Sequence, residues 1–170
     1  MTTAPKPGEL LEAVLALDAE RTEILLAQGA DPNESNDHGG CLMYAVRRGS
    51  AKIAAMLIEK GANIEAKDQW GVSVLMYAAL HSTETLRLLV EKGVTLDTKS
   101  NGGSTAMDWT NGSLDREEAV KVLKEAPAVQ RKIEAQKIKT EQDKITAFHD
   151  AAAARQAALN CRRPKVILKP

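Results

Sequence analysis

The chain has almost no aromatic side chains. Two Trp, two Tyr and one Phe amount to 3% of its 170 residues. A core with so few large rings has to come from small layers that repeat, rather than from one bulky cluster. Cysteine is nearly absent as well. Cys41 and Cys161 stand far apart with no CxxC spacing. That argues against a disulfide frame or a zinc site, and for a reducing compartment. No apolar run approaches the ~20 residues of a membrane span. The opening MTTAPKPGELLEA has no basic stretch followed by an apolar one, so no secretory signal is expected and the expected location is the cytoplasm. Nucleotide and catalytic signatures are missing: no GxGxxG, no P-loop, no HExxH, no GxSxG. His38, His81 and His149 share no motif, and Gly39–Gly40 and Gly102–Gly103 each precede a helix and read as turns. The expectation is a chain with no catalytic residue, no metal and no cofactor.

Net charge is also absent, with 23 basic and 23 acidic side chains, but the balance is uneven along the chain. Residues 1–126 carry 13 Lys+Arg against 19 Asp+Glu, a net of −6. Residues 127–170 carry 10 against 4, a net of +6. An acidic body with a basic tail is a real asymmetry. The tail's Arg162, Arg163 and Lys165 have no accompanying aromatic set, so nucleic acid is not the expected partner.

What the chain does have is a period. Gly29, Gly61 and Gly93 are 32 residues apart each time, and the stretches they open, 29–60, 61–92 and 93–126, are imperfect copies. Self-similarity at this spacing marks a stacked array. In 61–92 the opening glycine suits a residue of positive φ just past a helix end. A polar segment, Asn63–Trp70, closes on Gly71 as a turn or hairpin. Ser73 can cap a first helix, Leu75–His81, packing through Leu75, Ala78 and Ala79. A break at Ser82–Thr83 leads to a second helix, Glu84–Glu91, with Leu86, Leu89 and Val90 on its inner stripe. Neither helix is long enough to stand alone, so each has to bury its stripe on the next copy. Tyr44, Tyr77 and Trp109 hold equivalent places and read as fillers of a repeated layer.

This unit resembles an ankyrin repeat. The residues that carry the resemblance are Gly61–Asp68 (GANIEAKD), Gly71–Leu75 (GVSVL), Tyr77-Ala78-Ala79 and Leu88–Gly93 (LLVEKG). It covers about 118 residues, Glu9 to Ala126. The implied fold is an all-α repeat, an ankyrin solenoid of helix-turn-helix units with short hairpin fingers, plus a long C-terminal helix. The implied divisions are a flexible arm 1–8, an array 9–126 made of a capping helix pair 9–28 and three units, a C-terminal helix 127–160 beginning where Pro127 ends the array, and a basic tail 161–170. The family's Thr-Pro-Leu-His start of the first helix appears as Cys41-Leu42-Met43, Ser73-Val74-Leu75-Met76 and Thr105-Ala106-Met107-Asp108. No unit has the histidine, which implies that the hydrogen bonds it makes between fingers are missing.

Ala128–Asn160 contains no Gly or Pro and is rich in helix formers. Ile138, Ile145, Ala152 and Leu159 recur every seven residues, but the positions between are mostly polar, so the seam is narrow. Packing on the last repeat or across the acidic array is the expected use of this helix, with weak dimerisation through 128–160 the alternative to a monomer.

Ankyrin arrays bind partners with their finger tips and the concave face of their first helices. Carried over by position, those places are Asp37, His38, Arg47 and Arg48 in the first unit, Gln69, Trp70, Val72, Leu80 and His81 in the second, and Asn101, Ser104 and Asp108 in the third. Trp70 at a finger tip, with Val72 and Leu80 expected to face out beside it, forms the kind of apolar cluster that marks a partner site. The resemblance implies a non-catalytic protein–protein interaction module, and the acidic array implies a partner with a basic surface. Two alternatives accompany it: an inhibitor or immunity-type protein that neutralises a toxin or effector, and an array autoregulated by its basic C-terminal helix.

Overall fold

A computed structural model describes residues 5–36 and 39–161, excepting the side chains of 156–161. The polar segments and helices alternate as the period requires. The helices are α1 (Glu9–Leu15), α2 (Ala19–Ala27), α3 (Cys41–Arg47), α4 (Ala51–Glu59), α5 (Val74–His81), α6 (Thr83–Glu91), α7 (Ala106–Trp109) and α8 (Arg116–Cys161). A 3-10 turn, Thr110–Gly112, follows α7. The chain divides into two compact units, Met1–Gln130 and Arg131–Pro170.

The 32-residue period is a period of helix ends. Asp18, Ser50 and Ser82 are 32 residues apart, and each caps a second helix by accepting from the backbone N–H three residues on. Gly29, Gly61 and Gly93 close the same helices at φ +90°, +89° and +87°. After each, the next residue donates back across the last turn: Ala30 to Leu25, Ala62 to Leu57, Val94 to Leu89. That bond pattern is a Schellman motif, and the donor–acceptor residues are buried apolar pairs. A Cβ on any of these three glycines would meet nothing within 4 Å. Positive φ alone requires them.

Stacking follows from the stripes. First helices α1, α3, α5 and α7 touch in order, and so do α2, α4 and α6. One core runs from Leu10 to Ala126, filled by residues such as Val14, Met43, Leu57, Leu75, Leu86 and Leu89. Cys41 is fully buried in it, and burial, then the Glu34 charge, push its thiol up to about 12. That thiol is a small apolar filler. The first finger is a two-stranded hairpin, β1 (Ser35–Asn36) paired with β2 (Gly39–Gly40). The second is held by a single bridge, Lys67 to Ser73.

Pro127 does not end a helix. α8 starts at Arg116 and continues through it. The proline removes one backbone donor and leaves the Leu123 carbonyl without its helical partner. The apolar stripe nevertheless continues at helical spacing on both sides: Ala119, Val122, Leu123 and Ala126 are buried, and Val129 packs against the same core. The side chain of Gln130 donates to the carbonyl of Val94 at 2.8 Å. Tertiary packing thus holds the helix across a residue that local chemistry would choose as its end. The second helix of the last repeat and the helix expected to begin after Pro127 are therefore one continuous helix.

In the second unit the helix exposes Ile138, Ile145 and Phe148 (60%, 47% and 74%). The side chain of Leu159 and the whole of the tail 162–170 lie outside the described residues.

Candidate functional site

The fingers are clasped to one another without the family's histidine. Asn33 accepts from the N–H of Asn63 (2.8 Å). Glu65 accepts from both the N–H (2.7 Å) and the hydroxyl of Thr95 (3.0 Å). Asn101 donates its N–H to the Trp70 carbonyl (2.9 Å) and its amide to the Gln69 carbonyl (3.3 Å). Short polar side chains near the finger ends do the work expected of the missing residue.

Gly71 shows how close the second and third fingers come. It has φ +73°, and a Cβ there would collide with Asn101, lying 2.9 Å from its backbone N and closer still to its Oδ1. Both the turn and the close approach exclude a side chain.

Asp68 joins this finger to the concave face. Its Oδ1 accepts from the N–H groups of Trp70 and Val72, each at 2.9 Å. Its Oδ2 accepts from the Tyr77 hydroxyl at 2.8 Å. Tyr44 makes the equivalent bond in the unit before, to Asn36 Oδ1 at 2.9 Å. So the repeated tyrosine is a tie between a first helix and its own finger, as well as a layer filler. Burial, then the bond to Asp68, push the Tyr77 phenol up to about 12.

Around the Tyr77 ring the structure gathers residues from three helices. The Arg47 guanidinium lies over it, 5.3 Å from the centroid. His81 lies nearly parallel to it at 6.3 Å, and Trp109 meets it edge-on at 5.3 Å. Burial, then the Arg47 charge, lower the His81 pKa.

The residues expected to contact a partner separate into three groups. Arg47, Arg48 and His81 are exposed on the concave side, at the C-terminal ends of α3 and α5. Gln69, Trp70 and Asn101 come together where the second and third fingers are clasped, and Trp70 is 56% exposed. The third group has local tasks. Ser104 closes the third finger by accepting from and donating to Ser100. Asp108 accepts from the N–H and hydroxyl of Thr105 in a capping box, which lowers its pKa. Asp37 and His38 lie outside the described residues.

Two expectations about the surface are corrected. Val72 does not face out: it is 6% exposed, because its paired bonds with Asp68 turn the chain inward ahead of the Ser73 cap. Leu80 is half-buried, its Cδ1 so close to Gly112 that a Cβ there would sit 2.8 Å away. Trp70 therefore stands without the aliphatic neighbours expected of it. Sequence reasoning also passed over Leu114, which is fully exposed in the turn before α8. Its only signal was an apolar residue in a polar loop.

Among the described residues no group of His, Cys, Asp and Glu could hold a metal ion, and no helix is long and apolar enough to cross a membrane. No curated protein matches the chain. A family model described as ankyrin repeats (3 copies) matches residues 42–133, more than half of the sequence. Ankyrin repeats are in general protein–protein interaction modules. With its helix pairs, glycine-closed second helices and clasped fingers, this chain belongs to the ankyrin-repeat family.

Proposed function

We propose that the array binds another protein through its finger tips and the concave face of its first helices, and makes or breaks no bond. The observation that carries this reading is Trp70, more than half exposed at the tip of a finger held in place by Asp68 and Asn101. A large ring on a fixed support loses little freedom on binding, which is what an interface anchor needs. The net charge of −6 in the first unit favours a partner with a basic surface, recruited at a rate that falls as salt rises. The test is a pull-down from source lysate with the full chain beside its Trp70→Ala variant, read by mass spectrometry, with affinity then measured for the recovered partner. The expected loss is more than ~1 kcal/mol with the melting temperature nearly unchanged. A large fall in melting temperature with affinity intact would make Trp70 a structural residue and end the reading as stated.

The charge split supports a second reading, in which the basic segment beyond Gln130 regulates the array. Replacing Lys137, Lys139 and Lys144 by Gln in the full chain tests it. Partner affinity unchanged by those substitutions rules that regulation out. An inhibitor or immunity role has no observation of its own in its favour.

A further inference from the structure

The concave face carries a strip whose charge opposes that of the array as a whole. At one end are Arg47 and Arg48, exposed at the end of α3. The Arg47 guanidinium is laid over the Tyr77 ring, and among the described residues its N–H groups have no hydrogen-bond partner. Among the described residues no carboxylate lies within ion-pair distance of Arg47, Arg48 or His81. The neighbouring acid, Asp68, has both oxygens occupied by Trp70, Val72 and Tyr77. His81, against the same ring, adjoins the strip as a neutral imidazole near pH 7, since burial and then the Arg47 charge lower its pKa. It then lines a cavity of about 210 Å³ whose apolar walls are Leu80 and Leu114 and whose other lining residues are Ser82, Thr83, Gly112, Ser113 and Asp115.

From this order of chemistry we infer that the strip binds an extended segment of the partner that carries an aspartate or glutamate close to an apolar residue. The carboxylate sits on the guanidinium edge of Arg47, and the apolar side chain enters the cavity between Leu80 and Leu114. A guanidinium suits a carboxylate, which it meets through two parallel N–H···O bonds. Asp115 in the cavity lining repels an acid there, which keeps the segment's carboxylate at the Arg47 end. Leu114, fully exposed in the free protein, gains a neighbour on binding. Arg48 supplies a second positive charge beside the first. The inference rests on the proposed interaction role and narrows it. A partner that is basic overall is compatible with it, since the strip reads one short segment.

The experiment is selection of a displayed random heptapeptide library on the full chain, followed by fluorescence anisotropy with the selected peptide. The expected result is enrichment of Asp or Glu within one to three positions of Leu, Ile or Met. Arg47→Gln keeps most of the stem over Tyr77 and removes the charge; it is expected to weaken binding roughly tenfold, and Arg47→Glu by more. Leu114→Ser touches no core residue, so it isolates the cavity from stability. It is expected to weaken the peptide severalfold with an unchanged melting temperature. Enrichment of basic peptides, absence of enrichment, or binding indifferent to both Arg47→Glu and Leu114→Ser overturns the inference. If the pull-down still recovers a partner that depends on Trp70, only this inference falls. If that dependence is lost too, the interaction role falls with it.

Discussion

Replacing Gly71 by alanine should destabilise the array more than the same change at Gly61, although both glycines have positive φ. At Gly61, φ is +89° and the new methyl meets nothing within 4 Å. The cost there is the left-handed backbone alone, about 1–2 kcal/mol. At Gly71, φ is +73° and the methyl lands 2.9 Å from the backbone N of Asn101. The side-chain amide of Asn101 can swing away, but its backbone cannot move without carrying the third finger with it. The shift would strain or break the Asn101 bonds to the Trp70 and Gln69 carbonyls. Each such bond contributes about 0.5–1.5 kcal/mol net. The expected total for Gly71→Ala is about 2–5 kcal/mol, against about 1–2 for Gly61→Ala. At about 3–5 °C per kcal/mol for a domain of this size, the two melting temperatures should differ by roughly 3–15 °C. Thermal unfolding of both full-length variants by circular dichroism decides it. Equal melting temperatures would refute the claim that close finger approach, rather than backbone sign, distinguishes Gly71.

Three further outcomes follow from the fold. Pro127→Ala restores the missing N–H in the interior of α8 at an exposed position, so it should raise the melting temperature, by the equivalent of about 1–3 kcal/mol; a fall would mean that the helix depends on the proline. Absorbance at 295 nm should show one of the two tyrosines ionising near pH 12, and Tyr77→Phe should remove that step. Because the folded pKa of Tyr77 lies above the ordinary value of 10, its contribution to stability is complete below pH 10 and lost between there and about 12; denaturant midpoints that fall no faster in the parent than in Tyr77→Phe across that window would count against it. Ser82→Ala removes the cap of α6 and should cost about 1 kcal/mol, read as a lower urea midpoint with an unchanged slope.

Much of the repeat could be read without coordinates, because helix ends are made by groups a few residues apart. Ser73, Ser82 and the three period glycines act within one turn of where they stand, and the helix pair between Ser73 and Lys92 starts and stops within a residue of its expected bounds. The stripes Leu75, Ala78, Ala79 and Leu86, Leu89, Val90 are buried as their spacing required. The candidate site was less legible. Arg47, Arg48, Trp70 and His81 were found as surface positions of the repeat, but nothing local joins Arg47 to Tyr77, 30 positions on, or Tyr77 to Trp109, 32 further.

By itself, then, the sequence determined the period, the class of fold and the two-helix unit, since periodic apolar stripes and capping groups act over short distances along the chain. Only the tertiary structure decided that α8 runs through Pro127, because packing on the last repeat outweighs one lost backbone bond. It also decided that Val72 turns inward, that Asn33, Glu65 and Asn101 clasp the fingers, and that an arginine from one repeat lies over a tyrosine of the next. Those choices depend on how one copy of the unit meets its neighbour, and that meeting depends on groups about one period apart.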